Sequence, residues 1–206
     1  MKLWEVPFST NVERLTLALA YKGLEVEHAP VPYDDRTEIR RVSGQELVPV
    51  LEVGGQVLHD SPAILRWLEV EHPEPPLWPR EPRGRAEADV FVEWFNHVWK
   101  RPPNLLANEL EKPEAERDTE RMERWRADLR GSVARFEALL DGREHLLGDA
   151  FGIADVVAFP FLKYGALGLP EGDDHPFHRL LMEGLAMDDA PRLRGWVHRV
   201  DGRPRA

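Results

Sequence analysis

A run of prolines divides the 206-residue chain into two stretches of different character. Residues 72–79 read HPEPPLWP, and four prolines in eight residues do not continue a helix, because proline lacks the backbone N–H and clashes with the preceding turn. Strand and helix patterns alternate before this run, whereas every pattern after it is helical. We therefore predict an α/β domain at residues 1–75, a linker at residues 76–82 and an all-α domain at residues 83–206.

The first domain shows a definite order of elements. Short apolar or alternating runs predict strands, and helical spacing of apolar residues predicts helices. The strands are predicted at residues 3–6, 24–28, 48–53 and 56–59, and the helices at residues 12–22, 35–41 and 63–71. Gly54-Gly55 between the last two strands predicts a tight hairpin. The resulting order β-α-β-α-β-β-α predicts a mixed sheet covered by helices.

The second domain carries only helical patterns. Helices are predicted at residues 84–99, 114–140, 152–164, 177–185 and 191–200. We expect Pro102-Pro103 to kink or stop the first of them. The third is almost entirely apolar, which predicts a buried central helix.

Composition excludes several classes of function. The formal net charge is −10, which disfavours nucleic acid and anionic membrane surfaces as partners. The chain has no cysteine, so it has no disulfide, no thiolate of its own and no zinc held by cysteines. We find no signal-peptide pattern and no apolar run of about 18 residues that would span a membrane. We expect a cytoplasmic protein.

Three junctions in the first domain carry residues that suit either plain structure or a binding site. Ser9-Thr10-Asn11 lies between the first strand and the first helix, Val48-Pro49 begins a strand, and Asp60-Ser61 precedes a helix. A helix cap explains the first and third, and an edge-strand proline explains the second. A cis peptide at the X-Pro bond and an anion site at a helix N-terminus are the functional alternatives.

Taken together, the three junctions resemble the N-terminal domain of the cytosolic glutathione transferases. The matching features are Ser-x-Asn-x-x-Arg at the first strand–helix junction, then Val-Pro, then Asp-Ser eleven residues after that proline. The stretch STNVER followed by LTLALAYKG is especially similar to the serine-type branches, such as the phi class. In the second domain, GDAFGIADVVAF and PRLRGWVHRV look like the family's buried-helix motif and its terminal helix. The resemblance covers essentially the whole chain.

The resemblance implies a thioredoxin-like N-terminal domain, an all-helical C-terminal domain that lines the second-substrate site, and glutathione as co-substrate. Ser9 would then donate to the glutathione thiolate, with Thr10 as the rival donor and Asn11 as a supporting contact. Arg14 is interpreted as structural. Because the chain has Ser9 where some relatives have cysteine, thiol–disulfide exchange by the protein is excluded.

The remaining contacts to glutathione are implied in the same way. Val48 would pair its backbone with the cysteinyl residue of glutathione, next to a cis Pro49. Ser61 would bind the γ-glutamyl carboxylate and Asp60 the ammonium group. Leu47 occupies a position where the family often has a polar residue that contacts glutathione, and Gln45 or Glu46 is a possible substitute.

The resemblance leaves three functions open. The first is conjugation of glutathione to a small apolar electrophile, the second is glutathione-dependent isomerisation, and the third is a binding or scaffolding module without catalysis. A homodimer is implied as well.

No metal site is predicted. The His175 and His178 pair beside Asp173 and Asp174 is interpreted as a loop leading into a helix. In the buried-helix motif, Gly152 replaces the usual Ser or Thr cap, and Asp155 is expected to bond back to its backbone.

Overall fold

The computed structural model describes residues 1–206. It consists of two compact units, one formed by Met1–Arg80 with Arg203–Ala206 and the other by Glu81–Gly202. The C-terminal residues pack with the first unit: Arg205 donates to the Glu13 carboxylate at 3.0 Å, and the Ala206 N–H donates to a backbone oxygen of the first helix at 3.0 Å. Nothing in the sequence indicated this return of the chain.

The first unit has the predicted order of strands and helices. Its elements are β1 (Lys2–Glu5), α1 (Thr10–Tyr21), β2 (Glu27–Pro30), α2 (Thr37–Ser43), β3 (Val50–Val53), β4 (Gln56–His59) and α3 (Ser61–Glu71). The sheet order is β2-β1-β3-β4, with β1 parallel to β2 and antiparallel to β3, and with β3 antiparallel to β4. This arrangement is the thioredoxin-like fold that was predicted.

Strand β2 lies further along the chain than residues 24–28, where it was predicted. After the last residue of α1, Gly23 takes a φ of +66°. The Gly23 N–H donates to Ala20 O at 3.0 Å, and the Leu24 N–H donates to Leu19 O at 2.9 Å. These bonds satisfy the last carbonyl groups of the helix, so Leu24 belongs to the helix end. The ladder with β1 therefore begins only at Glu27, whose N–H donates to Met1 O at 3.0 Å.

The second unit is entirely helical. Its α-helices are α4 (Pro82–Trp94), α5 (Arg101–Leu110), α6 (Thr119–Leu139), α7 (Ile153–Leu162), α8 (Tyr164–Leu167), α9 (Pro176–Gly184) and α10 (Pro191–Asp201). A π-helical segment, Phe95–Trp99, follows α4, and a short 3-10 turn, Glu114–Glu116, precedes α6. None of the helices combines the length and apolar character that a bilayer crossing requires.

The helical unit differs from the prediction in two details. The helical stretch that starts with α4 ends at Trp99, close to the kink or stop expected at Pro102-Pro103, but these prolines lie in the first turn of α5, a helix that was not predicted. Their missing N–H groups cost nothing in a first turn. The long helix begins at Thr119 and not at residue 114. Its start is set by Asp118, whose carboxylate accepts the Arg121 N–H at 3.0 Å.

Helix α7 is the centre of the second unit, and all ten of its residues are buried. Asp155 in its first turn accepts the backbone N–H of Gly152 at 2.9 Å, as expected from the sequence. The same carboxylate also accepts the Leu146 N–H at 3.1 Å and the Trp196 Nε1–H at 2.7 Å. Asp155 is therefore a folding residue that ties α7 to a preceding loop and to α10.

The histidine pair before and within α9 is engaged in local structure. His175 Nδ1 accepts the Phe177 N–H at 3.1 Å and so caps α9. His178 Nδ1 lies 2.8 Å from the Asp173 carboxylate, and its ring stacks on Tyr164 at 4.6 Å. Burial lowers the pKa of His178, against the opposing effect of Asp173. These contacts match a loop leading into a helix.

Candidate active site

The three polar junctions meet at one end of the sheet. In the strand ladder, Trp4 of β1 pairs with Val50 of β3, and Val50 pairs with His59 of β4. Because β1 and β4 both run antiparallel to β3, the chain leaves β1 and β4 at the same end at which it enters β3. Residues 6–9, 48–49 and 60–61 therefore converge at this end, which also holds the N-termini of α1 and α3.

Ser9 is the N-cap residue of α1, and its side chain is half-buried. Its hydroxyl oxygen accepts the Val12 N–H at 3.4 Å, which is long for a capping bond. Phe8 before it has a φ of +60°, a conformation that non-glycine residues rarely adopt. Thr10 is 6 % exposed, whereas Asn11 is half-buried. Of the two hydroxyl groups, the one on Ser9 is the more accessible.

The Val48–Pro49 peptide bond is cis, and Pro49 is buried directly before β3. Leu47 is 78 % exposed, and its backbone is held by the side chain of Gln45. The Gln45 amide donates to Leu47 O at 2.8 Å and accepts the Leu47 N–H at 2.5 Å. Glu46 is paired with Arg40. Both polar candidates near Leu47 are thus engaged within the chain, and Gln45 orders the segment that leads into Val48.

Asp60 and Ser61 open α3. Asp60 is the N-cap residue, with a φ of +71° and no capping bond from its side chain. Ser61 is the first helical residue and is 3 % exposed, whereas Asp60 is exposed. The Ser61 hydroxyl accepts a hydrogen bond from Arg14 Nη1 at 3.2 Å.

Arg14, which the sequence led us to interpret as structural, lies in the interior of this region. Its side chain is fully buried, and it joins the interior of α1 to the start of α3. Burial lowers its pKa to about 9, and the nearby Asp60 carboxylate opposes that shift. With a pKa of about 9 the group is a cation at neutral pH. The available signal was its position among apolar residues on one face of α1.

The structure thus brings Ser9, Val48, Pro49 and the Asp60-Ser61 pair to one end of the sheet, with Asn11 on the first turn of α1. What the arrangement offers is a half-buried hydroxyl, a strand edge and two helix N-termini. Backbone N–H groups and hydroxyl protons in this setting suit the binding of anions. No three His, Cys, Asp or Glu side chains of the chain are grouped to hold a metal ion.

Comparison with known proteins identifies relatives of both domains. Residues 3–76 match the model of the glutathione S-transferase N-terminal domain, and residues 119–199 match the model of the C-terminal domain. Maleylacetoacetate isomerase of Pseudomonas aeruginosa is 31 % identical over 203 residues, which cover 94 % of this chain and 88 % of that protein. Glutathione S-transferase GstB of Escherichia coli is 24 % identical over 216 aligned positions, covering 98 % and 93 %.

A solved structure is similar over the whole chain as well. The glutathione S-transferase of Methylobacterium radiotolerans in complex with glutathione sulfonate superposes with a TM-score of 0.78 at 29 % identity, covering 98 % of this chain and 91 % of that one. Both domain models, a relative above 30 % identity and the shared fold agree. The chain belongs to the glutathione S-transferase family.

Proposed function

We propose that the protein adds the thiolate of glutathione to a small apolar electrophile. The observation that supports this most is the convergence of Ser9, Val48-Pro49 and Asp60-Ser61 at one end of the sheet. Glutathione is a tripeptide with a thiol, a peptide backbone and, on its γ-glutamyl residue, a carboxylate and an ammonium group. Each of the three junctions offers a group of the matching chemistry.

Ser9 is the proposed thiolate donor. An ordinary thiol with a pKa of about 8.5 is only a few per cent ionised at pH 7. Lowering the thiol pKa by roughly two units requires about 2.7 kcal/mol of extra stabilisation of the anion. A hydrogen bond to a charged acceptor contributes about 1.5–3 kcal/mol, and the N-terminus of α1 adds up to about 1 kcal/mol. Together these two contributions reach the roughly 2.7 kcal/mol that the lower thiol pKa requires, so no general base is needed.

The hydrogen bonds at Ser9 are compatible with that role. A serine hydroxyl has one proton to donate and two lone pairs to accept with. Capping of α1 uses a lone pair, because the Val12 N–H is the donor in that bond. The hydroxyl proton is thus left for the sulfur. Thr10 is the weaker candidate because its side chain is almost fully buried.

The other contacts complete the proposed glutathione site. Val48 would pair its backbone with the cysteinyl residue. Leu47, whose backbone N–H and carbonyl are bonded to Gln45, would contact the ligand through its exposed side chain. Ser61 and the N–H groups at the start of α3 would hold the γ-glutamyl carboxylate. Asp60 is exposed and would face the ammonium group.

Two measurements test this proposal. Titration calorimetry is expected to show glutathione binding at micromolar to millimolar concentration, and no binding at millimolar concentration would contradict it. Ser9→Ala is then compared with wild type by following thiolate absorbance of bound glutathione against pH. We expect the thiol pKa to rise by about 1–2 units in Ser9→Ala. Thr10→Val is the matched control and is expected to leave the pKa in place; the opposite result would assign the donor role to Thr10.

Glutathione-dependent isomerisation is the second candidate. It is favoured by the 31 % identity to maleylacetoacetate isomerase of P. aeruginosa over most of both chains. In an isomerisation the thiolate adds to the substrate, a bond rotates and the thiolate leaves, so glutathione is not consumed. An assay with maleylacetoacetate separates the two reactions. Turnover with constant glutathione supports isomerisation, whereas loss of glutathione with each turnover supports conjugation.

The proposal also includes a homodimer with a cytoplasmic location. Sizing by light scattering tests the dimer, with a mass near twice the 23.7 kDa of one chain expected.

A third candidate, a binding module without catalysis, is favoured by the apolar Leu47. Glutathione binding without turnover of any electrophile class would support it.

A further inference from the structure

Residues 203–206 belong to the first unit and lie against α1. Arg205 Nη2 donates to the Glu13 carboxylate at 3.0 Å, and the Ala206 N–H donates to Thr16 O at 3.0 Å. The side chains of Arg205 and Glu13 are 25 % and 16 % exposed, so this ion pair is partly withdrawn from solvent. It joins the first turn of α1 to a residue 192 positions further along the chain.

Glu13 lies one helical turn from Ser9, the proposed thiolate donor. The Glu13 N–H donates to Ser9 O at 3.0 Å. Residues four positions apart share one face of a helix, and helical side chains lean towards the N-terminus of their helix. The Glu13 carboxylate therefore leans towards the end of α1 at which the sulfur of glutathione would bind.

A carboxylate at this position has opposite effects on the helix and on a bound thiolate. Glu13 is the acidic residue in the first turn of α1, where a negative charge stabilises the helix. The same charge repels a second anion about one helical turn away, and by itself it would raise the pKa of a thiol bound at Ser9. A cation on Glu13 removes most of this repulsion, because an ion pair carries no net charge.

We propose that Arg205 is a positioning residue that holds the Glu13 carboxylate and compensates its charge, so that the first turn of α1 keeps its preference for a thiolate at Ser9. The inference rests on the proposed glutathione site. It adds to the control of thiolate formation a residue that acts through Glu13 and not by contact with the sulfur.

Two single replacements with opposite expected effects test the inference. Arg205→Gln removes the cation and keeps the Glu13 charge. The thiol pKa of bound glutathione, followed by thiolate absorbance against pH, is then expected to rise by about 0.5 units. Glu13→Gln removes the anion and keeps the guanidinium, so the thiol pKa is expected to fall by a similar amount. The double variant is expected to return close to the wild-type pKa.

The opposite directions distinguish an effect of charge from an effect of packing. If the ion pair only fastened residues 203–206 to α1, both single replacements would break it and would move the thiol pKa in the same direction or not at all. Either result overturns the inference. Arg205→Lys keeps the charge and is expected to keep the wild-type pKa; a rise as large as that in Arg205→Gln would also overturn the inference.

Lys2→Gln is the matched control. It removes a cation that pairs with Glu27 at 3.6 Å, and Lys2 begins β1 at the end of that strand away from Ser9. This variant is expected to keep the wild-type pKa of the bound thiol. A rise equal to that in Arg205→Gln would show that the net charge of the protein is the cause, and would overturn the role of the Glu13–Arg205 pair.

The behaviour of wild type separates this inference from the proposed function. If wild type binds glutathione and neither single replacement changes the thiol pKa, the role of Arg205 is contradicted and the glutathione site stands. If wild type does not bind glutathione at millimolar concentration, the proposed function is contradicted, and this inference with it.

Discussion

Replacing Lys22 by methionine probes the contacts that hold the proline-rich segment, residues 72–79, against the rest of the first unit. The ammonium group of Lys22 donates to Glu69 at 2.9 Å, to His72 O at 2.6 Å and to Pro75 O at 3.0 Å. The Lys22 side chain has no exposed surface, and that of Glu69 is 9 % exposed. The ion pair therefore lies in the interior, where solvent does not replace a lost partner.

The carboxylate of Glu69 continues the same network. It accepts the backbone N–H of Leu77 at 2.9 Å and of Trp78 at 3.1 Å. Removing one partner of a buried ion pair costs about 3–5 kcal/mol, because the other charge remains in the interior. Because Glu69 keeps these two N–H donors, we expect Lys22→Met to lower the free energy of unfolding by about 3 kcal/mol, the lower end of that range. For a chain of this length, that loss corresponds to a fall in Tm of about 6–12 °C.

Denaturant unfolding followed by circular dichroism measures this loss, with Arg124→Met as the control. Arg124 bonds Glu120 at 3.0 Å in an exposed pair, so its replacement is expected to cost less than about 0.5 kcal/mol. A loss below about 1 kcal/mol in Lys22→Met would refute the reasoning, because the buried pair would then behave like the exposed one. The double replacement Lys22→Met with Glu69→Met is expected to remain destabilised, since it leaves four backbone groups without these partners.

Three further predictions concern the helical unit. Gly165→Ala is expected to cost about 3 kcal/mol or more by thermal unfolding, because its Cβ would lie 2.0 Å from the backbone oxygen of Leu185; an unchanged Tm would contradict this packing. Asp155→Asn is expected to cost about 3 kcal/mol in denaturant, because its NH2 group would face the N–H donors that the carboxylate accepts; a loss below about 1 kcal/mol would argue against the network. The pKa of His178 is lowered in the folded state, so the unfolded chain takes up its proton first and stability falls as pH drops below about 6.5. His178→Asn is expected to reduce the stability difference between pH 7.5 and 5.5, whereas the exposed control His198→Asn keeps it; equal differences in both variants would contradict the assignment.

The order of elements in the first unit was predictable because its signals are local. Gly54-Gly55 takes positive φ at both residues, as a hairpin turn of the predicted kind requires. The hydroxyl of Ser9 and the prolines of residues 72–79 likewise mark a helix start and a break in regular structure without reference to distant residues. Local patterns of this kind predict the folded structure correctly, because backbone sterics and local hydrogen bonds act in every environment.

The errors arose where two local structures compete. Leu24 alternates with its neighbours as a strand residue does, but its N–H completes the end of α1. Pro102 and Pro103 stop a helix in its interior but suit its first turn, so their effect depends on whether the preceding helix has already ended. A π-helical segment ends that helix at Trp99, and no sequence pattern predicted it.

The candidate site also has a part that could be predicted from the sequence and a part that could not. The residues at its three junctions could be identified, because a hydroxyl or carboxylate before a helix and an X-Pro bond before a strand indicate a site from neighbouring residues alone. The contacts of Arg14 and Lys22 could not be predicted, because a charged residue on a helix is ordinarily exposed and the sequence does not show which distant residue it will meet. Their partners, Ser61 and Glu69, each lie 47 residues further along the chain.

The sequence by itself therefore determined which elements form and which groups stand at their ends, because propensity, capping and turn chemistry are properties of neighbouring residues. Only the tertiary structure decided which ends meet and which charges are buried. Strand register brings the ends of β1 and β4 to the start of β3, and the packing of α1 against α3 encloses Arg14 beneath Ser61. Both depend on contacts between residues far apart in the chain.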